Sequence, residues 1–473
     1  MATVRRLHPL LIAAVFGITA AVAPLAVRQA HAEPTGPSLV RPTISNVGLP
    51  PGFASWKDLF DVQEVLDAAA TRLEDVAQAT AGSGFTSVEV DAPGNALTVH
   101  WKGKPSARED SVLSAIRGSG IKVRLQPARY SQLELDAQVA LIEKDAAASG
   151  DERVASITKQ PDGSGVRVTV SSVATRANRL TPGAPAAGLG LSLGHLQAAK
   201  AHGSVTVVAA TDTADPRATR EADSPYYWGG ALYRYNVGSG QSVCSTGFAV
   251  HWPLDGTDYM TTAAHCRDTN AACTAPDWCG HRWTFSGGRD MGIGTPGGSG
   301  YDMMFIRTPG GATGNIYTGA PATQTPQGYM PVRRASHTHI GDSLCTSGAY
   351  TGWHCYIRAS GPTRDCRAWV APIGLGSCFN VEGGITTVEG QLIMGKGDSG
   401  GPVWTPINGF NRPDSAADAR GLISSLPDGW NWISCTDRVQ GGTSVCATAV
   451  WFTDVVSAIQ PWVSNGGMYV KTQ

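Results

Sequence analysis

Apolar and polar positions follow two different rhythms along this chain. From Ser83, "SGFTSVEVDAPGNALTVHWKG" places two alternating runs about a Pro-Gly-Asn turn, the pattern of a β-hairpin. "REDSVLSAIRGSG" has helical spacing and closes on glycine, "IKVRLQP" reads as a strand, and "YSQLELDAQVALIEKDAAA" reads as a second helix. "RVASITKQPDGSGVRVTVSSV" adds a second hairpin about Pro-Asp-Gly-Ser. These elements predict a small α+β domain.

Residues 180 to about 222 are rich in Ala, Gly and Pro and contain "TDTADPRATREAD", a polar stretch suited to an exposed, cleavable junction. Beyond Tyr226 the texture becomes short alternating runs separated by Gly, Pro, Asn and Asp, which predicts an antiparallel all-β, barrel-like half. Its single helical stretch is "WFTDVVSAIQPWV" near the end.

The first residues add a targeting signal. Arg5 and Arg6 precede an apolar stretch to about Val27, and Ala30-His31-Ala32 has the small-x-small form of a cleavage site. Residues 1–32 are expected to be a secretory signal peptide, 33–222 an α+β region ending in the junction, and 223–473 the β-rich domain. A net charge of −1 with 42% hydrophobic residues offers no footprint for nucleic acid or an anionic membrane surface. All ten cysteines lie between Cys244 and Cys446, so the C-terminal half alone is built for an oxidising, extracellular setting.

The chemistry sits in "MGKGDSGGPVW", residues 394–404. A serine hydroxyl is a poor nucleophile at neutral pH and needs a base, a carboxylate to orient that base, and donors for the developing oxyanion. Ser399 supplies the hydroxyl, and the glycines around it let the backbone N–H groups of Gly397 and Ser399 approach a substrate carbonyl. Glycine is frequent here, so GDSGG alone is only suggestive. "YMTTAAHC" places His265 at the end of an apolar, β-prone run and directly before Cys266. Asp268, Asp277, Asp290, Asp302, Asp342 and Asp365 are the carboxylates considered between them. Asp302 is favoured because it opens the apolar run in "GGSGYDMMFIRTPG"; Asp290 ranks second. The pattern also fits a nucleophile elbow, but an α/β-hydrolase needs its histidine after the serine and the last one here is His354. The order His, Asp, Ser is that of chymotrypsin-like enzymes.

The chain resembles the secreted chymotrypsin-fold serine proteases of actinobacteria, the streptogrisins and α-lytic protease. "CSTGFAVHWPLDGTDYMTTAAHC" resembles their opening cysteine, hairpin and histidine; "YDMMFI" resembles their aspartate strand. "LCTSGAYTGWHC" is similar to a cysteine-bounded hairpin, and "IMGKGDSGG" to the nucleophile loop. The resemblance implies two six-stranded antiparallel β-barrels with a C-terminal helix. It also implies a pro-region that aids folding and then inhibits the enzyme until removed. The implied roles are nucleophile for Ser399, general base for His265, orienting carboxylate for Asp302, and oxyanion donors for Gly397 and Ser399. Ser424 in "GLISSL" matches the residue flanking the triad, on a strand that pairs with substrate. Ile393, Met394 and Leu426 fall at the pocket, implying cleavage after an apolar residue because a basic side chain would meet no countercharge.

Three departures stand out. Thr346 replaces an arginine, leaving buried Asp398 without an assigned partner; Ile393 replaces a cysteine; Leu426 replaces a glycine. Nearest-neighbour pairing gives Cys244–Cys266, Cys273–Cys279, Cys345–Cys355, Cys366–Cys378 and Cys435–Cys446, of which the resemblance supports the first and third. His337 and His339 in "SHTHIGD" are read as solvated loop histidines, since no third metal ligand is evident nearby. His251, His281 and His354 are read as structural, and Trp404, Trp430 and Trp432 as barrel core or pocket rim. The expectation is therefore a secreted serine endopeptidase, monomeric when mature, without cofactor or metal. It would act on peptides or proteins and have its own pro-region as partner, with no membrane association after signal cleavage. A non-catalytic, protease-fold binding protein with a blocked pocket is the alternative.

Overall fold

The computed structural model describes residues 49–149, 154–171, 205–210, 223, 227–237, 240–267, 281–284, 290–296, 300–309, 311–319, 328–366, 378–410, 415–427, 433–436 and 443–473. Among these it is mostly β-sheet, with four longer helices, and none is long and apolar enough to cross a membrane.

The N-terminal region begins with a helix that the hairpin-and-helix reading did not include, α1 (Trp56–Gln78). Its signal is local: the Ser55 side chain accepts from the Asp58 N–H, and Trp56, Leu59, Phe60, Gln63, Leu66, Ala70, Leu73 and Ala77 recur on one buried face. The expected hairpin follows as Phe85–Asp91 against Ala96–Trp101. Helix α2 (Ala107–Gly118), with a full capping box between Ser106 and Glu109, then returns the chain so that Lys122–Pro127 pairs parallel with Ala96–Trp101. The face of α1 closes over this sheet, with Leu66, Leu73, Val88, Val90, Leu97 and Val99 all buried. Full burial of side chains of this kind contributes about 1.5–3 kcal/mol each.

Helix α3 (Gln132–Ser149) and the second hairpin, Val154–Lys159 with Val166–Ser171, appear as expected. One correction concerns the junction: Val205–Ala210 is a strand, pairing parallel with Val166–Ser171, because "VTVV" is β-prone within its Ala- and Gly-rich surroundings. The hairpin's other strand, Val154–Lys159, pairs antiparallel with Gly352–Asp365 of the C-terminal half. N-terminal strands therefore extend a C-terminal sheet to twelve strands.

The rest of the C-terminal half forms an eight-stranded sheet and a small three-stranded one. The eight-stranded sheet carries Thr257–Thr262 and Met304–Arg307 as neighbours, which sets the histidine turn beside the aspartate. The larger sheet carries Pro402–Ile407 against Ala416–Ser425, which sets the nucleophile loop. A buried cluster that includes Phe248, Val250, Phe305, Trp404, Leu422 and Ile459 joins residues of both sheets and of the last helix. That helix, α4 (Val455–Ser464), is shorter than its sequence suggested. Ala449–Asp454 is a strand, and the Asp454 side chain caps the helix by accepting from the Ser457 N–H at 2.7 Å.

A cleft of about 510 Å³ opens where α1 and α3 meet the Gly352–Asp365 and Phe379–Thr386 strands, and Glu382 lines it. Burial and the nearby Asp454 carboxylate push Glu382 up from 4.5 to about 8. The folded chain thus holds a proton that the unfolded chain releases above about pH 4.5. Stability is expected to fall as pH rises between those two values and to level off above them. Glu382→Gln is expected to flatten that slope in denaturant titrations of the intact chain; an unchanged slope contradicts it.

Candidate active site

His265 lies in a single 3-10 turn, Ala264–Cys266, directly after the Thr257–Thr262 strand. The Cys244–Cys266 disulfide fixes the turn to the neighbouring Gly240–Ser245 strand. Arg282, fully buried, donates to the Cys266 carbonyl at 3.3 Å and lies over the Tyr233 and Tyr235 rings. The Tyr233 hydroxyl in turn bonds Thr262 Oγ1 at 2.8 Å. Sequence reasoning missed this support; its only trace was a basic residue inside the β-prone "HRWT".

Asp302 is buried and receives three donors. The His265 amide donates to Oδ1 at 3.0 Å, His265 Nδ1 lies 2.7 Å from Oδ2, and the Ser424 hydroxyl donates to the same oxygen at 2.6 Å. Burial alone raises a carboxyl pKa, yet the imidazole and these hydrogen bonds outweigh it and hold Asp302 below its usual value. The carboxylate stays ionised and fixes the Nδ1–H tautomer, leaving Nε2 as the basic nitrogen. Asp290 does not join this group; its side chain accepts from the Gly292 amide at the start of its own strand.

The nucleophile loop is tied on several sides. The Ser245 amide donates to the Ser399 carbonyl at 2.8 Å, the Gly400 amide to Ile423 at 2.6 Å, and the Ser245 hydroxyl to the Gly397 carbonyl at 2.9 Å. Gly397 and Gly400 hold φ of 108° and 88°, a region that favours glycine, and a Cβ at Gly400 would lie 2.3 Å from the Ser245 carbonyl oxygen. The amides of Gly397 and Ser399 donate to no described residue, as an oxyanion site requires.

The Ser399 hydroxyl donates to the Ser424 carbonyl at 3.4 Å, its one hydrogen bond among the described residues. The expected unbroken row of hydrogen bonds is therefore present between His265 and Asp302 and open between Ser399 and His265. A contact of 3.4 Å is long for a hydroxyl, and rotation about the Cα–Cβ bond redirects it at little cost. Ser424 links the two parts, its hydroxyl on Asp302 and its carbonyl on Ser399.

Asp398 gains the partners that the sequence left unassigned. Its carboxylate accepts from the amides of Tyr350 (2.7 Å), Thr351 (3.0 Å) and Gly395 (2.7 Å), and from the Thr351 hydroxyl (2.6 Å). Burial still lifts its pKa above the usual value against these donors. Thr346 is not among them; its hydroxyl donates to the Ile393 carbonyl at 3.0 Å. Thr351→Val is expected to cost about 1.5–3 kcal/mol in denaturant unfolding, because it removes a hydrogen bond to a buried carboxylate and leaves Oδ2 with the Gly395 amide alone. A change within about 0.5 kcal/mol would contradict this role.

Ile393, Met394 and Leu426 gather in one buried apolar cluster with Leu344, Val403 and Phe452, and Ser424 lies on the adjoining Ala416–Ser425 strand. Four of the five expected disulfides are present: Cys244–Cys266, Cys345–Cys355, Cys366–Cys378 and Cys435–Cys446. Cys273 and Cys279 lie outside the described residues, as do Trp430 and Trp432. Trp404 is core. Cys244, His265 and Cys266 are close enough to hold a metal, but the two sulfurs are consumed by their own bond. His339 corrects an expectation: its side chain is 2% exposed, not solvated, because α1 covers it.

No protein-family profile matches the chain, and no curated protein matches it. Among solved structures, a Nocardiopsis protease aligns over 52% of this chain and 98% of its own at 20% identity and a TM-score of 0.31. Thermobifida fusca protease A aligns over 52% and 98% at 22% identity and a TM-score of 0.31. A glutamic-acid-specific serine protease aligns over 52% and 100% at 20% identity and a TM-score of 0.32.

Proposed function

We propose that this chain is a secreted serine endopeptidase made with a signal peptide, residues 1–32, and a pro-region, residues 33–222, ahead of a chymotrypsin-like protease domain, residues 223–473. In this reading the eight- and twelve-stranded sheets contribute the two β-barrels. The observation that carries it is the pairing of His265 Nδ1 with ionised Asp302 at 2.7 Å, beside Ser399 and two amides that have no acceptor among the described residues.

The reaction follows from that geometry. As the Ser399 oxygen attacks the scissile carbonyl, His265 Nε2 takes its proton and Asp302 stabilises the imidazolium. The carbonyl oxygen gathers charge between the amides of Gly397 and Ser399; loss of one such donor typically costs about 10²–10³ in turnover. His265 then protonates the leaving amine, and water repeats the sequence on the acyl-enzyme. Ile393, Met394 and Leu426, the residues that the resemblance places at the pocket, are buried together among apolar side chains, which supports an apolar residue before the cut. A peptide panel is expected to give fastest turnover after apolar residues; fastest turnover after Lys, Arg or Glu overturns that specificity.

A second reading, a non-catalytic binding protein on a protease fold, is favoured by one fact: Ser399 is 2% exposed. The two readings part on whether Ser399 reacts.

A further inference from the structure

The strongest unassigned cluster lies where α1 packs against the segment 337–342. Asp67, His339 and Asp342 converge there, with one ligating atom from each within 4.8 Å of the others. His339 Nδ1 is 3.7 Å from Asp67 Oδ1 and 4.0 Å from Asp342 Oδ2, and the side chains of His339, Asp67 and Asp342 are 2%, 9% and 0% exposed. Asp67 Oδ1, His339 Nδ1 and Asp342 Oδ1 make no hydrogen bond to any described residue. Two buried carboxylate oxygens and an imidazole nitrogen without hydrogen-bond partners, gathered this closely, are costly, since each forfeits its hydration.

Two further facts point the same way. His339 Nε2 faces Glu74 Oε2 at 3.3 Å and Thr71 Oγ1 at 3.3 Å, so its N–H is held on that side and Nδ1 is presented inward. A carboxylate behind a histidine is the usual outer support of a metal ligand. Around the cluster, the buried carboxylates Asp67, Asp342 and Asp418 meet the buried guanidinium of Arg420, and Arg334 also pairs with Asp418 at 2.8 Å, leaving an excess of one negative charge while the imidazole is neutral.

We propose that a divalent cation binds Asp67 Oδ1, His339 Nδ1 and Asp342 Oδ1, clasping α1 to the segment 337–342. One imidazole with two carboxylates suits Zn²⁺ and its neighbours in the first transition row. Ligand atoms about a tetrahedral zinc with bonds of about 2.0–2.2 Å lie about 3.4 Å apart, so small side-chain rotations close the site. Binding displaces any proton on Nδ1 and therefore weakens in acid. The inference does not depend on the proteolytic reading, since all three ligands lie outside the Ser399 site.

The test uses the full chain carrying Ser399→Ala, freed of metal by chelator and titrated with Zn²⁺ or Co²⁺. The expected result is one ion per chain by native mass spectrometry, a visible Co²⁺ d–d spectrum with imidazole coordination, and a thermal midpoint raised by more than about 5 °C at saturation. His339→Asn and Asp67→Asn should each abolish all three responses. Absence of stoichiometric binding, or binding that both variants retain, overturns the proposal. So does a stability change that follows pH alone and ignores both ions. If either variant fails to fold, a Co²⁺ spectrum of the Ser399→Ala chain lacking imidazole coordination overturns it on its own.

Discussion

Ser399→Ala is expected to abolish peptide hydrolysis, lowering turnover by a factor on the order of 10⁶, the scale seen when a triad nucleophile is removed. The reasoning is chemical. Without the hydroxyl there is no acyl-enzyme, and the amides of Gly397 and Ser399 can only polarise a carbonyl that water must attack unaided. If maturation is autocatalytic, the same variant accumulates as an uncut chain spanning the junction near residues 210–227. The substitution adds no bulk and removes only the long 3.4 Å contact to Ser424, so its stability should match the parent within about 0.5 kcal/mol. Hydrolysis near the parental rate would end the nucleophile assignment. Complete maturation of the variant in a protease-free host would end the autocatalytic part alone.

Arg420→Met carries the second large effect, on stability. The guanidinium is 1% exposed and donates to Asp67 at 2.6 Å, to Asp342 at 3.1 Å and to the His337 carbonyl at 2.5 Å, with Asp418 at 3.2 Å. Methionine fills a similar volume but leaves buried Asp67 and Asp342 without a guanidinium and Asp418 with Arg334 alone. Removing one partner from such a network costs about 3–5 kcal/mol, far more than the intact pair contributes. The intact chain should therefore unfold at markedly lower denaturant or fail to accumulate outside the cell. Part of the loss should appear as detachment of α1, since Asp67 is the only one of those carboxylates contributed by the N-terminal region. A change under about 1 kcal/mol would mean that water, and not Arg420, satisfies these acids.

What could be read beforehand divides along physical lines. The approach of His265 to Asp302 was legible because the first follows a β-prone run and the second opens one, two strands that pair, while Ser399 stands out in a glycine-rich loop before a third. The hairpins and α2 were legible from period and capping. Contacts between distant segments were not: Arg420 meets Asp67 across 353 residues, and neither residue type at its own position announces burial. His339 looked solvated because its neighbours are polar, and only the docking of α1 makes it interior. The donors to Asp398 are largely backbone amides, which carry no residue signature, so a search for a basic partner could not find them. The strand Val205–Ala210 was hidden by the Ala- and Gly-rich composition around it. "WFT" continued a helical period but pairs instead with Gly421–Ser425 and Glu382–Ile385, tertiary contacts that override local preference.

The most direct test is to treat the mature secreted protein with an organophosphorus serine reagent and locate the adduct by mass spectrometry of its peptides. The account predicts one equivalent on Ser399, lost in the His265→Ala variant because the hydroxyl then has no base. A folded mature protein with Ser399 unmodified, or labelled equally well without His265, would contradict it.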